Sequence, residues 1–167
     1  MKKSMLLCAL CVFVLSTPGQ ASDYSFTKVF DSNDPLPDGN GYFTEFSLPS
    51  LDGRNLAFAG RDGIYGDFGS FTYRYSGVYT IIDGNLSLVA DSNMVMPGTT
   101  NNFEWLTEPI IDGNNVAFAG GNRDTNENGI YTDLGGSVRV VADPNTQVPD
   151  GTGTFTDLPD YCSKTCI

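Results

Sequence analysis

The chain contains one segment twice. Pro49-Ser50-Leu51-Asp52-Gly53-Arg54-Asn55-Leu56-Ala57-Phe58-Ala59-Gly60 matches Pro109-Ile110-Ile111-Asp112-Gly113-Asn114-Asn115-Val116-Ala117-Phe118-Ala119-Gly120 at an offset of 60. Gly77-Val78-Tyr79-Thr80 then matches Gly129-Ile130-Tyr131-Thr132, and Leu88-Val89-Ala90-Asp91 matches Val140-Val141-Ala142-Asp143, both at an offset of 52. The difference of eight lies between Gly60 and Gly77. Upstream, Val29-Phe30-Asp31 and Phe43 take the places of Val89-Ala90-Asp91 and Phe103; downstream, Phe155 takes that place again. A period of 50 to 60 residues marks an array of one supersecondary unit, in which each unit buries its apolar surface against the next.

Within a repeat, four short runs rich in β-branched and aromatic residues alternate with Gly, Asn, Asp and Pro clusters, the pattern of strands and turns. In the second repeat the strands are expected near 102–107, 115–119, 129–134 and 137–142. Asp-Gly at 52–53, 83–84 and 112–113 predicts tight hairpins with both turn residues at positive φ. Leu86, Leu88 and Ala90, like Val138, Val140 and Ala142, are expected on one face, with Val89 and Val141 on the other. A sheet apolar on both faces is sandwiched between others. The fold class expected is therefore all-β, with antiparallel four-stranded blade-like repeats forming a partial β-propeller; a β-sandwich is the alternative.

The repeats are placed at about 43–90 and 103–142 in a β-repeat domain spanning 22–158, with a stray strand near 26–30 and another near 153–158, and a non-repeat tail at 159–167. Closed propellers need about four or more blades. Two blades imply either a piece of a longer propeller or self-association through open sheet edges.

Met1-Lys2-Lys3, an apolar run from Met5 to Leu15 and small residues at Gly19 and Ala21 form the pattern of a secretory signal peptide over 1–21, cut near Ala21. The run is about half of what a bilayer needs, so no membrane span is expected and the destination is secreted or periplasmic. The rest of the chain holds seven basic and twenty acidic side chains, a net charge near −13, which argues against a nucleic-acid partner. Histidine is absent, which excludes His-based triads and His-ligated zinc or haem. In an oxidising compartment Cys162 and Cys166 are expected to form a small local disulfide.

The run Asp112 to Phe118, then Gly129-Ile130-Tyr131, Val140 to Thr146, Val148-Pro149 and Gly151 to Phe155, resembles the bacterial secreted tandem-repeat proteins with an N-x-x-G-x-x-A-F signature. The resemblance covers roughly residues 26–158 and departs in the first repeat's longer loop, in the position of the signature glycine and in the tail. It implies a propeller-like fold and export, and it implies no catalytic residue.

Asp124-Thr125-Asn126-Glu127-Asn128-Gly129 fits the first half of a calcium loop, in which alternate oxygen ligands surround one centre. Asp124, Asn126 and Asn128, with the carbonyl of Ile130 and the carboxylate of Asp133, make the candidate metal set, and calcium is the cofactor it would take. Gly135 stands where an EF-hand needs Glu, so an EF-hand is excluded, and an ordinary polar turn is the competing reading. Asp31-Ser32-Asn33-Asp34, Asp91-Ser92-Asn93 and Asp143-Pro144-Asn145 recur at equivalent places, either as a ring of carboxylates or as turn formers that satisfy their own backbone. Phe68, Phe71, Tyr73 and Tyr75 lie in the longer loop, either as an exposed docking cluster or as an extended hairpin.

The function expected is a non-catalytic binding or surface-interaction module with a protein or glycan partner. The alternatives are a calcium-stabilised repeat module and an extracellular, carboxylate-dependent glycan hydrolase.

Overall fold

The structure, a computed structural model, describes residues 28–37, 41–65, 71–156 and 158; of the strand residues at 63–65, 71–75 and 108 only the backbone is described. The leader, the tail with Cys162 and Cys166, and Phe68 lie outside the described residues.

Two antiparallel sheets account for every described strand, and the described residues contain no helix. Sheet 1 comprises β1 (Glu45–Phe46), β2 (Ser50–Asp52), β3 (Asn55–Tyr65), β4 (Phe71–Ile82) and β5 (Asn85–Asp91). Sheet 2 comprises β6 (Trp105–Asp112), β7 (Asn115–Asn122), β8 (Glu127–Thr132) and β9 (Arg139–Ala142), paired in sequence order. β1 and β2 both pair with β3 and are two pieces of one edge strand, interrupted around Pro49. In sheet 2 the register shifts between Thr107 and Ile110, beside the matching Pro109. Proline donates no ladder hydrogen bond, so both edge strands break at the same place. The sequence-based start near 102 is thus moved to Trp105, because Asn102 and Phe103 belong to the preceding connector.

The eight extra residues of the first repeat lengthen the β3–β4 hairpin, whose ladder continues through Gly63↔Tyr73 to Tyr65↔Phe71. Two other expectations change. At 52–55 and 112–115 the turn residues are Gly53-Arg54 and Gly113-Asn114, with only the glycine at positive φ; Asp83 and Gly84 alone form the turn with both at positive φ. Leu86, Leu88 and Ala90 do not share a face. Val78 pairs with Ala90 and Tyr79 with Leu88, which leaves Val89 as an extra residue; Val141 is the same bulge in sheet 2. A bulge breaks the two-residue period, so Leu86 packs on one side of sheet 1 and Ala90 on the other.

Each sheet carries an aromatic triad of the same geometry. Phe43 meets Tyr79 edge-on at 5.0 Å and Tyr79 stacks on Phe58 at 5.4 Å; Phe103 meets Tyr131 edge-on at 4.9 Å and Tyr131 stacks on Phe118 at 5.7 Å. All six rings are buried, and each contributes on the order of 1.5–3 kcal/mol by leaving water. Burial, aided by the nearby Asp143 and Glu127 charges, pushes the Tyr131 phenol up to about 12. The glycines of the repeat make room for these rings. A Cβ on Gly60 would strike Phe43, one on Gly77 would lie 2.8 Å from the Tyr79 hydroxyl, and one on Gly120 would lie 2.9 Å from Phe103.

The two sheets stack. The side of sheet 1 formed by Ala57, Val78 and Ala90 packs into one core with Met96, Phe103, Leu106, Ile111, Val116, Phe118 and Tyr131. The opposite side of sheet 1, with Phe58 and Tyr79, forms a second cluster with Leu36 and Phe43.

The stray strands are not formed in their described parts. Residues 28–31 and 155–156 carry no strand pairing; Thr154 makes an isolated bridge to Gln147, and the Phe155 N–H donates to the Thr146 carbonyl at 3.2 Å. Residues in these stretches lack a neighbouring strand to satisfy a ladder, and they serve instead as ends of connectors.

Candidate functional site

Three connectors, 31–43, 91–103 and 143–155, are built on one plan. Asp31, Asp91 and Asp143 each accept, through Oδ1, the backbone N–H of the residue two places on, at 2.8, 2.9 and 3.0 Å. Leu36, Met96 and Val148 donate their N–H to the carbonyls of Gly41, Asn101 and Gly153, and isolated bridges join Pro35 to Tyr42, Val95 to Asn102 and Gln147 to Thr154. These carboxylates therefore act as turn formers. The ordered donors lower the pKa of two of them: Asp143 chiefly through the Thr146 hydroxyl at 2.6 Å, Asp31 chiefly through the Asn33 N–H and then Lys28.

Chain direction puts all three connectors, the β3–β4 hairpin end and the 123–126 turn at one end of the stack; the Asp-Gly turns and loop 133–138 lie at the other. At the connector end a polar cluster surrounds the 123–126 turn. The Glu127 carboxylate accepts from the Thr125 hydroxyl at 2.7 Å and from the Asn101 amide at 2.8 Å. Glu104 accepts the Arg123 backbone N–H at 2.7 Å and faces its guanidinium at 3.3 Å, and Asn122 donates to the Asn102 carbonyl at 3.0 Å. The second connector and the hairpin turn thus form one polar surface. Asn101, Asn102, Glu104 and Arg123 were not among the sequence candidates; their adjacency follows from the connector's return beside β7, which no local spacing announces.

The candidate metal set is divided. Asp124 and Asn126 are exposed in the turn, Asn126 at φ 57°, while Asn128 and Ile130 sit half-buried on β8. Asp133 follows the far end of β8, roughly 20 Å away at about 3.3 Å per extended residue. Its Oδ1 accepts the Val116 N–H and its own N–H donates to the Val116 carbonyl, closing the β7–β8 ladder. Asp133 therefore does not join Asp124 and Asn126 around one centre. Among the described residues no group of three or more acidic or cysteine side chains is gathered to hold a metal ion.

Fold and site define an all-β protein of two antiparallel sheets with a polar loop end. A model of a family of unknown function, DUF7453, matches residues 18–164, and the chain belongs to that family. No curated protein and no solved structure matches it. Among the described residues no helix is long and apolar enough to cross a membrane.

Proposed function

We propose that this chain is an exported, non-catalytic binding module of propeller-blade-like repeats, which recognises a protein or glycan with the loops gathered at its connector end. The observation that carries the reading is the threefold connector. Its backbone bonds are the same each time, while exposed positions vary: Pro35, Val95 and Gln147 share one place, and Tyr42, Asn102 and Thr154 share another. A constant frame bearing variable exposed residues is how rigid scaffolds carry recognition loops. The engagement of Asp31, Asp91 and Asp143 in their own turns argues against their use as a general acid and base. Blade-like stacking is supported by apolar residues on both sides of sheet 1, where a two-layer sandwich would place polar side chains outward. Export rests on the leader pattern of residues 1–21.

The test is a panel of glycans and extracellular matrix proteins applied to the immobilised full chain. Retention of a ligand that is lost on changing Asn101, Arg123 and Asp124 together, but kept on changing Leu134 and Ser137, supports the reading. Turnover of any glycan, or ligand binding indifferent to the connector end, overturns it.

A further inference from the structure

Equivalent residues of the two sheets differ in exposure in a directional way. Leu51 is 66 % exposed and Phe46 38 %, whereas their counterparts Ile111 and Leu106 are 5 % and 0 % exposed. On the opposite sides the order reverses. Ala57 and Val78 are fully buried in sheet 1, while Ala117 and Ile130 in sheet 2 are only half-buried, and Ile110 on that same side is 67 % exposed. The contact between the sheets covers the Ala57 side of sheet 1 and the Phe118 side of sheet 2. Among the described residues no sheet covers the repeat-equivalent partners of both: the Leu51 side of sheet 1, packed by its own connector residues Leu36 and Phe43, and the Ile110 side of sheet 2.

The polar bonds across the contact run in the same direction. Asp52 Oδ2 accepts the Gly113 N–H at 2.7 Å, and Asn55 Nδ2 donates to the Gly113 carbonyl at 2.7 Å. Asp112 and Asn115 are the same residue types at the same places in sheet 2, and among the described residues their side chains make no such bond. Gly53, the counterpart of Gly113, stands exposed in its turn in sheet 1.

We propose that a second copy of this chain docks its first sheet on the Ile110 side of the second sheet, in the register the chain already uses internally. Asp112 and Asn115 of one copy then take the Gly53 backbone of the next, as Asp52 and Asn55 take Gly113 within a copy. The occupant is argued from continuity: the two open sides are the two halves of an interface this chain already forms. Such a contact is heterologous, so it repeats head to tail into a ring or a filament. The incoming copy brings its own connector, with Leu36 and Phe43 already buried, so the 143–155 connector, with Val148 and Phe155 half-buried, is the part displaced. This inference stands on the sheet sides and does not depend on what the loops bind.

The experiment is sedimentation velocity on the full secreted chain from low micromolar to several hundred micromolar, with Ile110→Glu and Leu51→Glu. Both substitutions fall on exposed residues, which spares the fold; circular dichroism checks this. The wild type is expected to grow in mass with concentration and past a dimer, and added salt strengthens this by screening the acidic surface. Each variant alone is expected to weaken association at least tenfold. An equimolar mixture restores a dimer that grows no further, because one variant keeps the Leu51 side and the other keeps the Ile110 side. A wild type that stays monomeric overturns the proposal, as does association indifferent to both variants. A mixture that fails to pair does so too, because it reports a symmetric interface or a different partner surface.

Discussion

The carboxylate of Asp52 accepts the backbone N–H of Gly113, so a residue that ends a strand in one sheet caps the turn of the other. The bond exists because this turn begins at Gly53; Asp52 stays in the strand, with its side chain directed toward the neighbouring sheet. Replacing Asp52 by Ala is expected to cost about 1 kcal/mol, the net worth of a hydrogen bond to a charged acceptor at a partly wet site. Asp112→Ala, which removes the same residue type without an inter-sheet bond, is expected to change stability by less than about 0.5 kcal/mol. Urea unfolding of both variants at low protein concentration separates the two. Equal losses place the effect in the turn itself, not in the contact between sheets.

The glycine and aromatic positions that recur together predict a second difference. In sheet 2 the Phe103 ring lies over Gly120, where an added Cβ would also stand 3.2 Å from the Trp105 carbonyl. Gly120→Ala must push a fully packed ring aside and is expected to cost about 1–3 kcal/mol. Gly153→Ala meets nothing within 4 Å and is expected to be neutral within about 0.5 kcal/mol. Unfolding midpoints of the two variants check this, and a neutral Gly120→Ala removes the claim that these glycines are seats for the rings.

Much of the architecture is legible in the sequence itself. The repeat at offsets of 60 and 52, the strand-rich composition and the recurring Phe and Tyr foretold antiparallel sheets with repeated aromatic packing. The assignment of sides was not legible, because the bulges at Val89 and Val141 insert one residue and reverse the alternation that Leu86, Leu88 and Ala90 display on paper. The polar cluster was hidden for a different reason. Asn101 and Glu127 are 26 residues apart and meet only because the connector folds back beside the β7–β8 hairpin. Asp133 misled in the opposite way. Nearness in sequence to Asp124 suggested a shared centre, but an extended strand lies between them.

Asp143 predicts the acid limb of stability. The Thr146 hydroxyl and the Asn145 N–H hold its carboxyl below the ordinary 3.8, and both donors are ordered only in the folded chain. A folded pKa below the unfolded one stabilises the fold above the unfolded value, and the contribution is lost as pH falls through the folded value. Asp31 acts in the same direction. The thermal midpoint is therefore expected to fall as pH drops below about 4, and Asp143→Asn should flatten that fall while lowering the midpoint at neutral pH. Midpoints followed from neutral down to about pH 2 test the sign. A variant whose acid limb matches the wild type shows that Asp143 is not among the groups that titrate on unfolding.

The divided metal set makes the last prediction. Calcium takes six to eight oxygen ligands, and specific sites gather several carboxylates. At the 123–126 turn, Asp124 and Asn126 are exposed, the Glu127 carboxylate already accepts from Thr125 and Asn101, and Asp133 closes a ladder at the far end of β8. Two exposed turn side chains supply too few ligands to hold the ion at ordinary concentrations. A ligand that binds only the folded state at 100 times its dissociation constant would add about 2.7 kcal/mol and raise the unfolding midpoint by several degrees. The expected result is that millimolar calcium and excess chelator give the same midpoint for the full chain. A rise with calcium that disappears in Asp124→Ala but persists in Asp133→Ala would mean that the turn binds the ion with ligands other than Asp133.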